Sequence, residues 1–270
     1  MDIKRINELA KDPHLIPGIY NYCDRWCERC PFTDRCLNYL MQNEQQNGAD
    51  DLKEDEKNPA LLWEEVKNTL DETIRLLETL MREQGLDPDD PSRKRSPSQE
   101  EVGYRTEQHP LNKMALSYIT LARAWMDAHR KELDGVGMQH DMPPRGAGKR
   151  EVQLWNAGKV IHWYLFQISV KIRRALEGLQ EGEELSEGPY GNDADGSAKV
   201  ALLGIDNSLQ AWHTMLNLFP GEENTLSDIM IILGTLRKEV EKIFPRARRF
   251  RRPGFDDPQY AHLIKKEDQT

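Results

Sequence analysis

Cysteine is missing from almost the whole chain, because all four cysteines of the 270 residues lie between Cys23 and Cys36. No apolar run approaches the roughly 18 residues of a membrane span, and residues 1–15 lack the apolar core of a secretion signal. No stretch alternates apolar and polar residues as a half-buried strand does. These absences argue against a membrane partner and a β-rich fold, and they predict a cytoplasmic location.

Basic residues are also in deficit, since 37 lysines and arginines face 46 acidic residues and give a formal charge of −9. An acidic chain is not expected to bind nucleic acid over its whole surface. The exception is the segment Arg246–Arg252, which holds five arginines around Phe250 and has the composition to bind phosphate backbones or RNA. We favour the alternative that this segment folds back on carboxylates of the acidic body.

Helical spacing of apolar residues dominates the remaining sequence and predicts an all-α fold. We predict an antiparallel bundle of about five long helices, over residues 58–85, 110–133, 149–179, 197–219 and 225–244. Ser197 is the expected N-cap of the fourth helix, and Thr225-Leu-Ser-Asp228 is the expected capping box of the fifth.

The predicted domain organisation has three parts. They are an N-terminal cysteine module (1–50), the helical bundle (58–245) and a basic C-terminal tail (246–270). Two loops are expected within the bundle, a mobile one at about 86–106 and an acidic, glycine-rich one at about 181–196. In the module, Thr33 is the expected cap of a helix that ends in a polar linker over 42–51.

The cysteines follow the spacing C-x3-C-x2-C-x5-C at Cys23, Cys27, Cys30 and Cys36. In a reducing compartment such a cluster is typical of a metal or redox site rather than of disulfides. Four thiolates suit Zn²⁺ or an iron–sulfur cluster. We favour an iron–sulfur cluster, most simply [4Fe–4S], because one short continuous loop supplies every ligand and a cluster is large enough for it to surround.

Residues between the cysteines are suited to support such a site. Arg25, Arg29 and Arg35 carry positive charge that stabilises thiolates, and Trp26 is positioned to shield the site from water. A regulatory thiol pair, or cysteines that only pack, are the remaining alternatives.

The spacing Cys23-x3-Cys27-x2-Cys30 resembles that of the radical S-adenosylmethionine enzymes, in which three such cysteines hold a [4Fe–4S] cluster with one open iron. That resemblance implies an α/β barrel, whereas this chain shows no alternation of strands and helices. Cys36 supplies a fourth ligand that would close the open iron. We therefore do not assign the chain to that family, but the spacing indicates that a loop of this kind binds a cluster.

A second candidate site is a polar pocket between bundle helices, formed by Tyr118, His162, Asp206 and His213. Asp206 and His213 are seven residues apart and so share a helix face. Neither histidine has the Glu-x-x-His pattern of di-metal bundles, and we favour histidines that are simply hydrogen-bonded.

Three functional hypotheses follow from these patterns. The first is a cytoplasmic four-cysteine iron–sulfur protein for electron transfer or redox sensing, with a redox protein as its partner. The second is a zinc-stapled helical scaffold that binds a partner protein. The third is a cluster-dependent enzyme that uses the pocket near His162 and His213.

Overall fold

The computed structural model describes residues 9, 11–49, 67, 74–75, 78–79, 81–82, 85, 87, 98–180 and 192–264. Within these ranges all regular structure is helical and no strand occurs, which confirms the all-α prediction. In the same ranges, no helix combines the length and apolar character that crossing a bilayer requires.

The chain divides into two compact units. The smaller comprises Met1–Asp12 and Leu37–Glu100, and the larger comprises Pro13–Cys36 and Glu101–Thr270. The cysteine block, defined as residues 22–36, therefore lies in the larger unit together with the C-terminal helices. The three-part domain organisation stays a prediction.

The α-helices are numbered here in chain order. They are α1 (Leu37–Ala49), α2 (Ser98–Gln108), α3 (Pro110–Ala128), α4 (Arg130–Gly135), α5 (Lys149–Gln180), α6 (Asp193–Leu218), α7 (Glu223–Ile243) and α8 (Ala261–Ile264). The predicted helix over 58–85 lies outside the described residues except at isolated positions, so the count of five bundle helices stays a prediction.

Four long helices form the core of the larger unit. Helix α5 packs against α3 and α6, and α7 packs against the same two helices, so the four close a ring. Each helix faces the ring with an apolar stripe at three- and four-residue spacing. In α7 the buried stripe contains Leu226, Ile229, Leu233, Leu236 and Val240.

Several predicted helix boundaries are wrong. Helix α6 begins at Asp193 rather than at Ser197, because Asn192 caps it by accepting a hydrogen bond from the Ala194 N–H (2.8 Å), and Ser197 is fully buried inside it. Helix α7 begins at Glu223, before the predicted capping box.

Other boundary errors arise where polar sequence is helical. The predicted mobile loop over 86–106 contains the start of α2 at Ser98. The predicted linker over 42–51 is helical as far as Ala49, and Thr33 lies in a short 3₁₀ turn rather than at a helix cap. The predicted helix over 110–133 is interrupted at His129, whose ring Nδ1 contacts the Trp125 carbonyl (2.9 Å).

The C-terminal segment, defined here as Arg246–Ile264, folds back on carboxylates, as favoured from the sequence. Arg246 pairs with Asp195 at 3.0 Å, and Arg248 pairs with Asp206 at 2.6 Å and with Glu241 at 2.8 Å. Two 3₁₀ turns and the short helix α8 make up its regular structure. Two of the five arginines of the basic run are thus paired with carboxylates of the acidic body.

Asp256 fixes the middle of the C-terminal segment. Its carboxylate accepts hydrogen bonds from the Arg252 backbone N–H (2.8 Å) and guanidinium (3.1 and 3.2 Å). Burial alone would raise the pKa of Asp256, but these hydrogen bonds and the Arg252 charge outweigh burial and hold the pKa below its usual value.

Asp256→Asn is expected to lower the free energy of unfolding at pH 7 by about 1–2 kcal/mol, since it removes charge-assisted hydrogen bonds. A lowered folded-state pKa contributes stability above the unfolded pKa of about 3.9, and this contribution is lost as the pH falls through the folded value. Urea unfolding should therefore show a smaller difference between Asp256→Asn and wild type at pH 3 than at pH 7. Asp228→Asn, at an exposed position on α7, should match wild type at both pH values.

Candidate metal centre

The cysteine block is a compact coil built from two 3₁₀ turns, Cys27–Arg29 and Thr33–Arg35. Between Cys23 and Cys27 the chain turns through Arg25, whose φ of 56° is the only positive value at a non-glycine position in the described ranges. A left-handed conformation costs a side-chain-bearing residue roughly 1–2 kcal/mol. Contacts on either side of Arg25 must therefore hold this turn.

Asp24 is the main anchor of the block on α5. Its carboxylate accepts a hydrogen bond from the Tyr164 hydroxyl (2.6 Å) and another from the Trp26 backbone N–H (3.2 Å). Its backbone carbonyl accepts hydrogen bonds from the Trp163 indole N–H (3.0 Å) and from the Gln167 amide. One residue next to the strained turn thus takes four donors, three of them from neighbouring turns of α5.

Trp26 extends the contact with α5. Its ring stacks on Trp163 with centroids 5.1 Å apart, and it meets Tyr164 edge-on at 6.1 Å. The Arg29 guanidinium lies 4.0 Å from the Trp26 centroid. The tryptophan predicted to shield the cysteines is therefore also a docking residue.

Phe32 attaches the other end of the block to the C-terminal segment. Its fully buried ring meets Phe255 and Tyr260 edge-on, with centroids 5.1 and 5.8 Å apart. Cys30 and Cys36 pack against the same apolar cluster. Two of the four thiols therefore lie in an environment made by residues near opposite ends of the sequence.

Tyr22 docks the start of the block on α6. Its hydroxyl donates to Asp193 (3.0 Å), and its ring meets Phe250 at 4.7 Å. Gly196 lies directly beneath the Tyr22 ring, where a side chain would collide with it. The close approach of the block to α6 depends on this glycine.

The thiols are partly buried and act on one another. Burial is the largest cause that raises the pKa of Cys23, Cys27 and Cys30, for Cys30 to about 12. Negative charge on Cys23 and Cys36 further raises the pKa of Cys27, so the sulfurs share one neighbourhood. Without a bound cation these three thiols stay protonated at neutral pH.

Two backbone amides are directed at sulfur atoms. The N–H of Arg25 donates to the Cys23 sulfur, and the N–H of Phe32 donates to the Cys30 sulfur; each bond lowers the pKa of its thiol against the effect of burial. Hydrogen bonds to ligand sulfurs are among the features that tune iron–sulfur centres. The loop therefore already presents donors that stabilise thiolates.

The four cysteines nevertheless do not converge on one point. Within the described part of the chain no group of three histidine, cysteine or carboxylate side chains has a geometry that would hold a metal ion. The donor types and the sulfur environment fit a metal–thiolate centre, whereas binding would require the sulfurs to move together.

The three arginines predicted to support the thiols take different positions, and their effect on the thiols stays a prediction. Arg29 lies over Trp26 and Arg35 lies 5.3 Å from the Tyr260 centroid, while Arg25 is exposed. A cation that does act on a thiol is Lys171, whose charge lowers the pKa of Cys23. The sequence interpretation did not include this residue.

The predicted polar pocket is wrong. His162 and His213 lie on the exposed surface, whereas Tyr118 is fully buried and accepts a hydrogen bond from the Trp212 indole (3.2 Å). Asp206 pairs with Arg248 and Arg237. The seven-residue spacing gave a shared helix face correctly but did not show that this face is directed outward.

The comparisons with known proteins identify no relative from which a function could be inferred. The chain matches no protein-family model, no curated protein and no solved structure.

Sequence reasoning missed the anchor Asp24 and its partners on α5. A sequence signal was available only for another residue that faces the block, Lys171, which interrupts the apolar stripe of α5 between Ile168 and Ile172. A charged residue on a buried helix face requires a partner. The partners of Asp24 carried no such signal, since tyrosine and tryptophan on a helix stripe are usual core residues.

Proposed function

We propose that the cysteine block is a metal centre in which Cys23, Cys27, Cys30 and Cys36 hold an iron–sulfur cluster, [4Fe–4S], for electron transfer or redox sensing. The observation that carries the proposal is the shared environment of the thiols, with backbone N–H donors directed at Cys23 and Cys30. A bound cluster would accept and release single electrons. Ligation by four protein thiolates leaves no open iron, which favours electron transfer or sensing over substrate chemistry.

The surroundings of the thiols support this proposal. Trp26 packs the block against α5 and Phe32 packs it against the C-terminal segment, and partial shielding from solvent is one factor that sets the potential of a cluster. Raised thiol pKa values imply that metal binding displaces protons. The chain's own residues therefore partly shield the thiols, donate hydrogen bonds to sulfur and give up protons when metal binds.

Structural zinc is the second candidate, and the density of docking contacts favours it. Asp24, Trp26, Tyr22 and Phe32 fasten the block to α5, α6 and the C-terminal segment. A zinc ion held by the same cysteines would stabilise this docked state and make the protein a scaffold for a partner protein.

Anaerobic purification followed by absorbance spectroscopy and iron, sulfide and zinc analysis tests both candidates. The proposal expects a brown protein, about four iron and four sulfide per chain and absorbance near roughly 400 nm that dithionite bleaches. Cys27→Ser should lose the cluster, whereas Thr33→Ala, at a non-ligand position between Cys30 and Cys36, should keep it. One zinc per chain and no colour would show that the site holds structural zinc instead of a cluster. Absence of both iron and zinc would overturn the proposal of a metal centre.

A further inference from the structure

Lys171 is an unusual residue for its position, because only 7% of its surface is exposed. It lies on the buried face of α5, and its ammonium donates a hydrogen bond to the Asn21 carbonyl (3.4 Å). Burial is the largest cause that lowers the pKa of Lys171. A buried ammonium is costly unless an anion compensates it, so the residue requires a partner.

The negative charges of two groups, Cys23 and Asp193, favour the charged form of Lys171. Asp193 is already engaged, since it receives two hydrogen bonds from Arg174 (2.8 and 3.1 Å) and one from the Tyr22 hydroxyl (3.0 Å). The charge of Cys23 acts on Lys171 and that of Lys171 acts on Cys23. Cys23 as a thiolate is therefore the partner that Lys171 still lacks.

The backbone brings these two side chains together. The Cys23 thiol donates to the Tyr20 carbonyl (3.6 Å), and Lys171 donates to the carbonyl of the next residue, Asn21. Both acceptors belong to the 3₁₀ turn Ile19–Asn21. Their position is fixed by the docking of the block on α5.

We infer that Lys171 is the buried counter-ion of the four-cysteine centre and raises its affinity for metal by compensating the charge of a metal–thiolate complex. The inference rests on the proposed function. Four thiolates around a divalent ion carry net negative charge, as do cysteine-ligated iron–sulfur clusters. A fixed cation beside Cys23 stabilises that charge, and partial burial makes the charge interaction stronger than it is in water.

The test compares Zn²⁺ binding by the full-length wild type, Lys171→Met and Lys171→Arg, in competition with a chromophoric chelator. Zn²⁺ is the probe because it forms complexes with four thiolates. Lys171→Met should bind at least about 10-fold more weakly, as is usual when a group outside the ligand set is removed. Lys171→Arg should stay close to wild type because it keeps the charge. Lys199→Met is the matched control, since Lys199 also donates to a backbone carbonyl, that of Arg248 (2.8 Å).

Urea unfolding of the metal-free wild type and Lys171→Met distinguishes a counter-ion role of Lys171 from a role in packing alone. Without metal, Lys171→Met should unfold at the same or a higher urea concentration than wild type. It removes a buried charge whose anionic neighbour, Asp193, is already engaged by Arg174 and Tyr22. Weaker binding together with lower metal-free stability would overturn the inference in favour of simple packing.

The failures of the two proposals are distinguishable. Wild-type affinity in Lys171→Met would overturn the counter-ion and leave the metal centre standing. Absence of Zn²⁺ binding by the wild type would overturn both the counter-ion inference and the proposal of structural zinc. The iron and sulfide analysis would then show whether the protein holds a cluster.

Discussion

Gly196→Ala is expected to lower the free energy of unfolding by about 3 kcal/mol, a typical cost of overpacking a well-packed contact. A Cβ at this position would lie 2.6 Å from Tyr22 Cδ1 and 2.8 Å from Phe250 Cζ, and it would also overlap Tyr22 Cε1. Neither ring is the flexible end of a long side chain, so the block or the C-terminal segment has to shift. Urea unfolding followed by tryptophan fluorescence measures the loss.

Gly234→Ala is the matched control for this prediction. Gly234 is also a helix glycine, on α7, and nothing lies within 4 Å of its added Cβ. The alanine should stabilise the protein by up to about 1 kcal/mol through its higher helix propensity. If both variants gained stability, the docking of Tyr22 against α6 would be wrong.

Asp24→Ala is expected to lower the free energy of unfolding by about 2–3 kcal/mol, since it leaves the Tyr164 hydroxyl and the Trp26 N–H without their acceptor. The same change should release the block from α5, because the strained turn at Arg25 loses its neighbouring contact. The thiols should then react faster with a thiol reagent in the metal-free protein. Asp34→Ala is the control, since the pair of Asp34 with His14 is exposed and such pairs contribute little.

A double-mutant cycle with Tyr164→Phe assigns this effect to one contact. Asp24 and Tyr164 are joined by a 2.6 Å hydrogen bond, so their substitutions should not be additive. Additive effects would show that Asp24 stabilises the turn locally and does not hold the block on α5.

Local sequence pattern predicted the helical class because each stripe carries its own periodicity. The start of α5 at Lys149 and the buried stripe of α7 could both be read from a few neighbouring residues. Helix ends were less predictable where several residues compete as caps. Asn192 and Ser197 both have capping side chains, and only the packing of α6 shows which one is used.

The cysteine cluster can be recognised from the sequence, but the residues that hold it in place cannot. The cysteine spacing stands out in one short stretch, whereas the hydrogen bond from Tyr164 to Asp24 joins residues that are 140 positions apart. No period or motif links two such residues. The exposure of His213 was unpredictable for a different reason, because its neighbour Trp212 takes the buried direction and turns the histidine outward.

The packing of Phe32 against Phe255 and Tyr260 has a consequence for the order of events during synthesis. A ribosome produces the cysteines early, and at roughly 5–20 residues per second the aromatic residues that enclose Phe32 follow roughly ten seconds or more later. During that interval the C-terminal cover of Cys30 and Cys36 does not yet exist. The thiols of Cys30 and Cys36 are therefore more accessible to solvent and oxidants in the nascent chain than in the folded protein.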